Sequence, residues 1–214
     1  VAEEVIIDSM NLHLIKESLA FGYKKTLENL SFLVRVSGAV LIFTFLINSL
    51  QKMASDSSVL TGAFFFALTF AVDIIIKIGY TKIYLALYDG HDVHLKDVFS
   101  HHGKFFTYCV AYVALSLLTL VGFGLFILPG FFVIATFFFV PFLVIDQDIS
   151  VIDAFKKSYE LTKGKRWYVL LYLLLAFILN GLGLALFVIG LLITIPITYF
   201  SLIFLYRGLL ETNQ

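Results

Sequence analysis

The sequence predicts an all-α membrane protein with six transmembrane helices, and three observations carry that prediction. First, 60% of the 214 residues are hydrophobic and only 14% are charged, whereas a soluble chain is about 45–50% apolar and about 25% charged. Second, the apolar residues gather into six stretches, most of them near the ~20 residues that a helix needs to cross ~30 Å of hydrocarbon. Third, Lys and Arg are sorted by position once those stretches are marked. Lys16, Lys24, Lys25 and Arg35 precede or open the first span, and Lys77, Lys82, Lys96 and Lys104 lie in the last part of the second or between it and the third. Lys156, Lys157, Lys163, Lys165 and Arg166 lie between the fourth and fifth, Arg207 ends the sixth, and only Lys52 is left for the other side. Short loops rich in Lys and Arg stay cytoplasmic, so both termini are expected to be cytoplasmic.

The spans are read near 32–50, 60–82, 105–128, 131–146, 167–189 and 191–209. Span two stays apolar almost to Tyr88, longer than the bilayer is thick, so it must tilt or protrude. Spans three and four are linked by Leu128-Pro129-Gly130, and spans five and six around Gly190. Links this short make antiparallel hairpins. Span four is short, which leaves open a thin membrane there or a re-entrant stretch over 122–130. The whole chain, 1–214, reads as a single polytopic domain with no room for a soluble one. The first thirty residues carry no secretory pattern. Val1 opens the chain, with an initiator Met removed or with Met10 as the natural start. The one cysteine, Cys109, excludes an internal disulfide and a cysteine-based zinc site.

Three polar stretches, roughly 11–29, 93–103 and 150–163, precede the hairpins. The third has apolar positions at 151, 152, 155, 159 and 162 near one helical face, and Ser150 with Asp153 makes a start like a capping box. These stretches are read as amphipathic helices on the cytoplasmic interface.

The chain also repeats. Asp92, Asp97 and Phe99 answer Asp148, Asp153 and Phe155, with apolar matches between them. Gly103-Lys104 answers Gly164-Lys165, Gly122-Phe-Gly124 answers Gly181-Leu-Gly183, and Gly130 answers Gly190. The unit is an interfacial helix followed by a hairpin, present three times over approximately 11–88, 92–146 and 148–209. Units of an even number of spans keep one orientation, as parallel repeats do. The glycines allow close helix approach, or break helices along a cavity.

The run Pro141-x4-Asp146, then Asp153-Ala-Phe155-Lys-Lys-Ser158-Tyr-Glu-Leu-Thr162-Lys-Gly164-x2-Trp167, with the later Gly-x-Gly, Gly190 and Pro196, resembles a group of bacterial six-helix inner-membrane proteins of uncharacterised function. That group is similar to the membrane domain preceding the catalytic domain of some glycerophosphodiester phosphodiesterases. The resemblance implies the bacterial inner membrane and the six-helix fold. It assigns no catalytic residue, and the phosphodiesterase domain itself is missing from this chain.

Ionisable groups inside a span are costly and point to function unless they are paired. Asp73 and Lys77 stand four apart on one face of span two, where they can pair with each other or with Arg35 in span one. Together they line a polar route, or else they hold two spans together while Lys77 snorkels. Asn180 is a lone amide in span five, suited to an interhelical hydrogen bond. His91, His94, His101 and His102 crowd the second polar stretch, where His94, Asp97 and His101 share a helical face and form a weak candidate metal site. Lys156, Lys157, Lys163, Lys165 and Arg166, with Trp167, form the densest basic cluster. It reads as positive-inside anchoring or as a site for anionic lipid headgroups.

No HExxH, GxSxG or phosphate-loop motif is present, so no catalytic residue and no cofactor is expected. Nucleic acid is excluded as a partner because the basic face is taken by membrane. The expected function is a non-enzymatic membrane module that binds lipid, a membrane-protein partner or a second copy of itself. The alternative is a small transporter with a polar route at Arg35, Asp73 and Lys77.

Overall fold

The computed structural model describes residues 2–55, 58–94, 97, 102–186 and 189–212, and all regular structure among them is helical. A long first helix, α1 (Ala2–Glu28), gives way at Asn29 to α2 (Leu30–Ser55). The Asn29 amide side chain turns back to the Lys25 carbonyl at that break. α3 (Val59–Tyr88) starts on Ser58, whose hydroxyl accepts from the Thr61 amide and caps the helix. α4 (Phe105–Leu125) and α5 (Ile127–Phe137) meet at Phe126, and α6 (Val140–Asp146) follows. α7 (Val151–Thr162), α8 (Arg166–Ala185) and α9 (Leu191–Glu211) complete the chain.

Six stretches are long and apolar enough to cross a membrane: Leu30–Lys52, Val59–Tyr88, Phe105–Leu125, Ile127–Asp146, Arg166–Ala185 and Leu191–Glu211. They overlie the six spans read from the sequence, and α3 runs to Tyr88 as its apolar character requires. Two expectations are corrected. The third and fourth spans turn at Phe126, which is extended, rather than at Leu128-Pro129-Gly130. Pro129 falls in the first turn of α5, where the amide that proline lacks would have had no partner anyway. Span four is a full-length span broken at Phe138–Phe139 into α5 and α6. Pro141 cannot donate to the Phe137 carbonyl and its ring crowds that turn.

The polar stretches bury a face that the sequence reading did not assign. In α7 the cap is as expected: the Asp153 amide donates to the Ser150 hydroxyl, which in turn donates to the Asp153 carboxylate at 2.6 Å. The buried face, however, is Ala154, Ser158, Leu161 and Thr162, while Ile152 and Tyr159 are 68% and 46% exposed. Small residues allow close approach to α5 and α6, and that outweighs the burial of two larger side chains. α1 buries a similar face of Ile15, Ser18, Gly22 and Thr26. It lies antiparallel along α9, with Leu14 by Gly208, Phe21 against Phe204, and Gly22 against Ile197 and Ser201. Most of the 93–103 stretch lies outside the described residues.

The centre of the bundle is made by spans four and six, each 44% buried along its most apolar window against 11–17% for the other four. Phe139, Phe200, Tyr84, Tyr172 and Tyr206 are fully buried there. Tyr84 stacks on Tyr199 at 4.8 Å, and Phe139 and Phe142 pack on Tyr206. One end of the bundle is tied by charge. The Arg207 guanidinium, at the end of span six, reaches Asp146 of span four at 3.0 Å and Asp89 beyond span two at 3.1 Å. Lys104 pairs with Asp148, and Lys165 donates to the Thr212 hydroxyl. The far end carries Lys52 and the two tight turns. There Gly122 lies against Gly130 so closely that a Cβ would stand 3.1 Å from its Cα, and Gly190 lies as closely on Gly183.

Candidate functional site

The junction of α5, α7 and α8 is built from residues that the sequence scatters over thirty positions. Because span four breaks before Pro141, the Thr136 carbonyl sits one turn from a helix end. The Ser158 and Thr162 hydroxyls of α7 both donate to it, at 2.9 and 3.1 Å, and all three residues are buried. Phe155 packs its ring on Phe137 at 5.2 Å. These contacts run α7 antiparallel to α5 and deliver the chain to Gly164. Its φ of 74° lies in the left-handed region that favours glycine, and it turns α7 directly into α8.

The first residue of α8 is Arg166. Its guanidinium lies between two aromatic faces, 4.5 Å from the ring of Phe132 on α5 and 4.7 Å from that of Tyr159 on α7. Stacking of this kind favours Arg over Lys. Nε and Nη2 are covered by protein and have no hydrogen-bond partner, so donor capacity is left over, and leaving buried donors unpaired is expensive. Arg166 forms part of the wall of a groove of about 610 Å³, otherwise lined by Leu128, Phe131, Phe132, Trp167 and Leu170 among others. Trp167 stands 76% exposed at its edge. An apolar trough with one under-satisfied cation can hold a chain-bearing anion.

Of the six headgroup candidates, only Arg166 and Trp167 line this groove. Lys157 is spent on Gln147 at 2.6 Å and Lys165 on Thr212 at 3.0 Å. Burial among α1, α8 and α9 holds the Lys165 ammonium below its ordinary pKa. Lys156 and Lys163 are exposed.

The intramembrane candidates divide. Asp73 and Lys77 do pair, at 2.7 Å, and the Lys77 ammonium also donates to the Tyr112 hydroxyl of α4 at 2.8 Å. Arg35 does not join them: it is exposed and donates to the Ser31 carbonyl of its own helix at 2.9 Å, because a long side chain near a helix start satisfies itself locally. A route through Arg35, Asp73 and Lys77 is therefore not assembled. Asn180 reaches across to the Thr198 hydroxyl at 3.2 Å, the expected interhelical bond. At the candidate metal site the His94 amide donates to the Asp97 carboxylate at 2.7 Å, an arrangement within one turn. His101 lies outside the described residues, and no group of three potential ligands occurs among those described.

Two sets of residues escaped the sequence reading. The aromatic faces around Arg166 had no signal, since Phe132 and Tyr159 meet only in the folded chain. Thr44, Asn48 and Gln51 in α2, which face Thr69 and Asp73 across a cleft, did have one: they recur at i, i+4 and i+7.

No curated protein and no solved structure matches the chain, so nothing ties it to glycerophosphodiester phosphodiesterases. Residues 58–207 match a domain of unknown function, DUF7847. That stretch takes in spans two to six, the Asp73–Lys77 pair and the whole Arg166 groove, and covers well over half of the chain, which therefore belongs to the DUF7847 family.

Proposed function

We propose that the protein is a non-enzymatic, lipid-interacting module of the bacterial inner membrane, with both termini cytoplasmic and three repeated units of interfacial helix and hairpin. The observation that carries the reading is the α5–α8 groove, apolar along its length and walled at one place by the Arg166 guanidinium, which the Phe132 and Tyr159 rings hold in position. An anionic phospholipid fits that chemistry: its phosphate accepts from Arg166, its acyl chain lies over Phe132 and Leu170, and Trp167 takes the interfacial place that indoles favour. Exposed Lys156 and Lys163 add long-range attraction to an anionic surface. The repeat receives support from the two glycine turns, Gly122 on Gly130 and Gly183 on Gly190.

The test is native mass spectrometry of protein extracted gently from its own membrane, followed by exchange into nanodiscs of phosphatidylglycerol mixed with phosphatidylcholine. The wild-type chain is expected to retain phosphatidylglycerol. Arg166→Gln is expected to weaken that retention about tenfold to a hundredfold, since a hydrogen bond to a charged group contributes about 1.5–3 kcal/mol. Arg166→Lys should recover part of the charge without the stacking. Equal retention of both lipids by the wild-type chain would sink the reading. A stoichiometric second polypeptide occupying the groove would make the chain an accessory subunit instead.

A further inference from the structure

The outer halves of α2 and α3 stand apart from the lipid groove. They enclose a cleft of about 200 Å³ on the side of the bundle that ends in Lys52. Its lining is half apolar, with Phe66, Phe70 and Ile76 among others, and half polar. Thr44, Asn48 and Gln51 come from α2, and Thr69 and Asp73 from α3. Among the described residues neither the Asn48 nor the Gln51 side chain has a hydrogen-bond partner, and nothing bonds the Asp73 oxygen that Lys77 leaves free. Carboxamides and carboxylates without partners are costly in hydrocarbon, and here Asn48 and Asp73 are exposed and Gln51 half-buried along one shared cleft. The outer faces of the same helices are apolar, with Phe45, Leu46 and Phe64 each more than half exposed. At about 30 Å³ per molecule the cleft takes about six waters, which can bond to one another and to its five polar side chains. At its inner end Asp73, Lys77 and Tyr112 close it as a bonded series across α3 and α4.

We infer that the α2–α3 seam is a water-filled vestibule, entered from the Lys52 end and closed at the Asp73–Lys77 pair, that admits small hydrogen-bonding solutes. The vestibule is independent of the lipid groove. It leaves Arg35 outside, and it makes the ion pair the floor of a one-sided aqueous path.

Thiol accessibility tests it. In a Cys109→Ser background, Asn48→Cys, Gln51→Cys and Thr69→Cys are compared with Leu46→Cys and Phe64→Cys on the lipid faces. A charged, membrane-impermeant methanethiosulfonate is applied to either side of sealed vesicles. The thiolate is the reacting species, and apolar surroundings raise the thiol pKa, each unit slowing reaction about tenfold. The three seam positions are expected to react from one side only, and at least about tenfold faster than the two lipid-facing ones. Any variant that does not elute as the wild-type chain is set aside, and the remaining seam positions carry the test. Seam positions that react no faster than Leu46→Cys would overturn the inference. So would reaction from both sides, which would mean a through-pore, and so would protection in native membranes lost on purification, which would mean a partner helix in the seam.

Discussion

The docking of α7 on the broken fourth span rests on one carbonyl with two donors, and this makes a sharp prediction about coupling. Ser158→Ala and Thr162→Val each remove one hydroxyl from the Thr136 carbonyl. Either single variant leaves the carbonyl a partner, so each should cost only the net value of a hydrogen bond, about 1 kcal/mol. Thr162 also shares its hydroxyl with the Ser158 carbonyl at 2.9 Å, so its replacement relaxes part of that competition. The double variant strands a buried acceptor, which adds about 1–3 kcal/mol. The pair is therefore expected to cost about 3–5 kcal/mol in all, with a coupling of about 1–3 kcal/mol, inside the range seen for residues in one network. The chain has one tryptophan, Trp167, which stands just beyond this junction. Its fluorescence during a denaturing-detergent titration in mild micelles reads the unfolding of that region directly. The same double variant should lose bound phosphatidylglycerol, because Tyr159 leaves the guanidinium of Arg166 when α7 undocks. Strictly additive costs, or a double variant as stable as either single one, would refute the argument that one carbonyl anchors α7.

Three further outcomes are expected. At Gly22 a new Cβ would run into the Ser201 hydroxyl and the Ile197 carbonyl, whereas at Gly38 it meets nothing within 4 Å. Gly22→Ala should then destabilise by about 1–3 kcal/mol through overpacking, and Gly38→Ala should leave the thermal midpoint in detergent unchanged or slightly raised. Arg207→Met leaves Asp146, whose side chain is only 11% exposed, without its cation and with the Tyr206 hydroxyl at 2.8 Å as a remaining donor, and should cost about 3 kcal/mol; adding Asp146→Asn should restore much of it in a chemical-denaturation series. The Lys165 ammonium is depressed by burial. The unfolded chain therefore holds that proton more tightly, and stability should rise with pH from the depressed folded value up to the ordinary 10.5. Lys165→Met should remove that rise from a pH series of unfolding midpoints.

Local features were legible in the sequence. The Asp73–Lys77 pair was legible because four residues on a helix fix a shared face whatever else the fold does. The Asn180 bond was legible because a lone amide in hydrocarbon has little choice but a neighbouring helix. The α7 cap followed from Ser150 and Asp153 standing three apart. The buried face of α7 was not legible, because Ala154, Ser158 and Thr162 are buried for being small and for reaching a particular carbonyl. The partner of Arg35 was left open in the sequence because its choice between Ser31 and another helix depends on how α2 is rotated.

By itself the sequence determined the helical class and the six helices long and apolar enough to cross a membrane, since each follows from a quantity local to a segment, its apolar length. Only the tertiary structure decided that span four breaks so that two hydroxyls from α7 can reach Thr136, that Arg166 alone of its basic cluster is turned into an apolar groove, and that polar residues of α2 and α3 line one shared cleft. Helix rotation and the angle at a break are set by packing between segments, through contacts a few ångströms long, and no pattern within one segment encodes the neighbour it will meet.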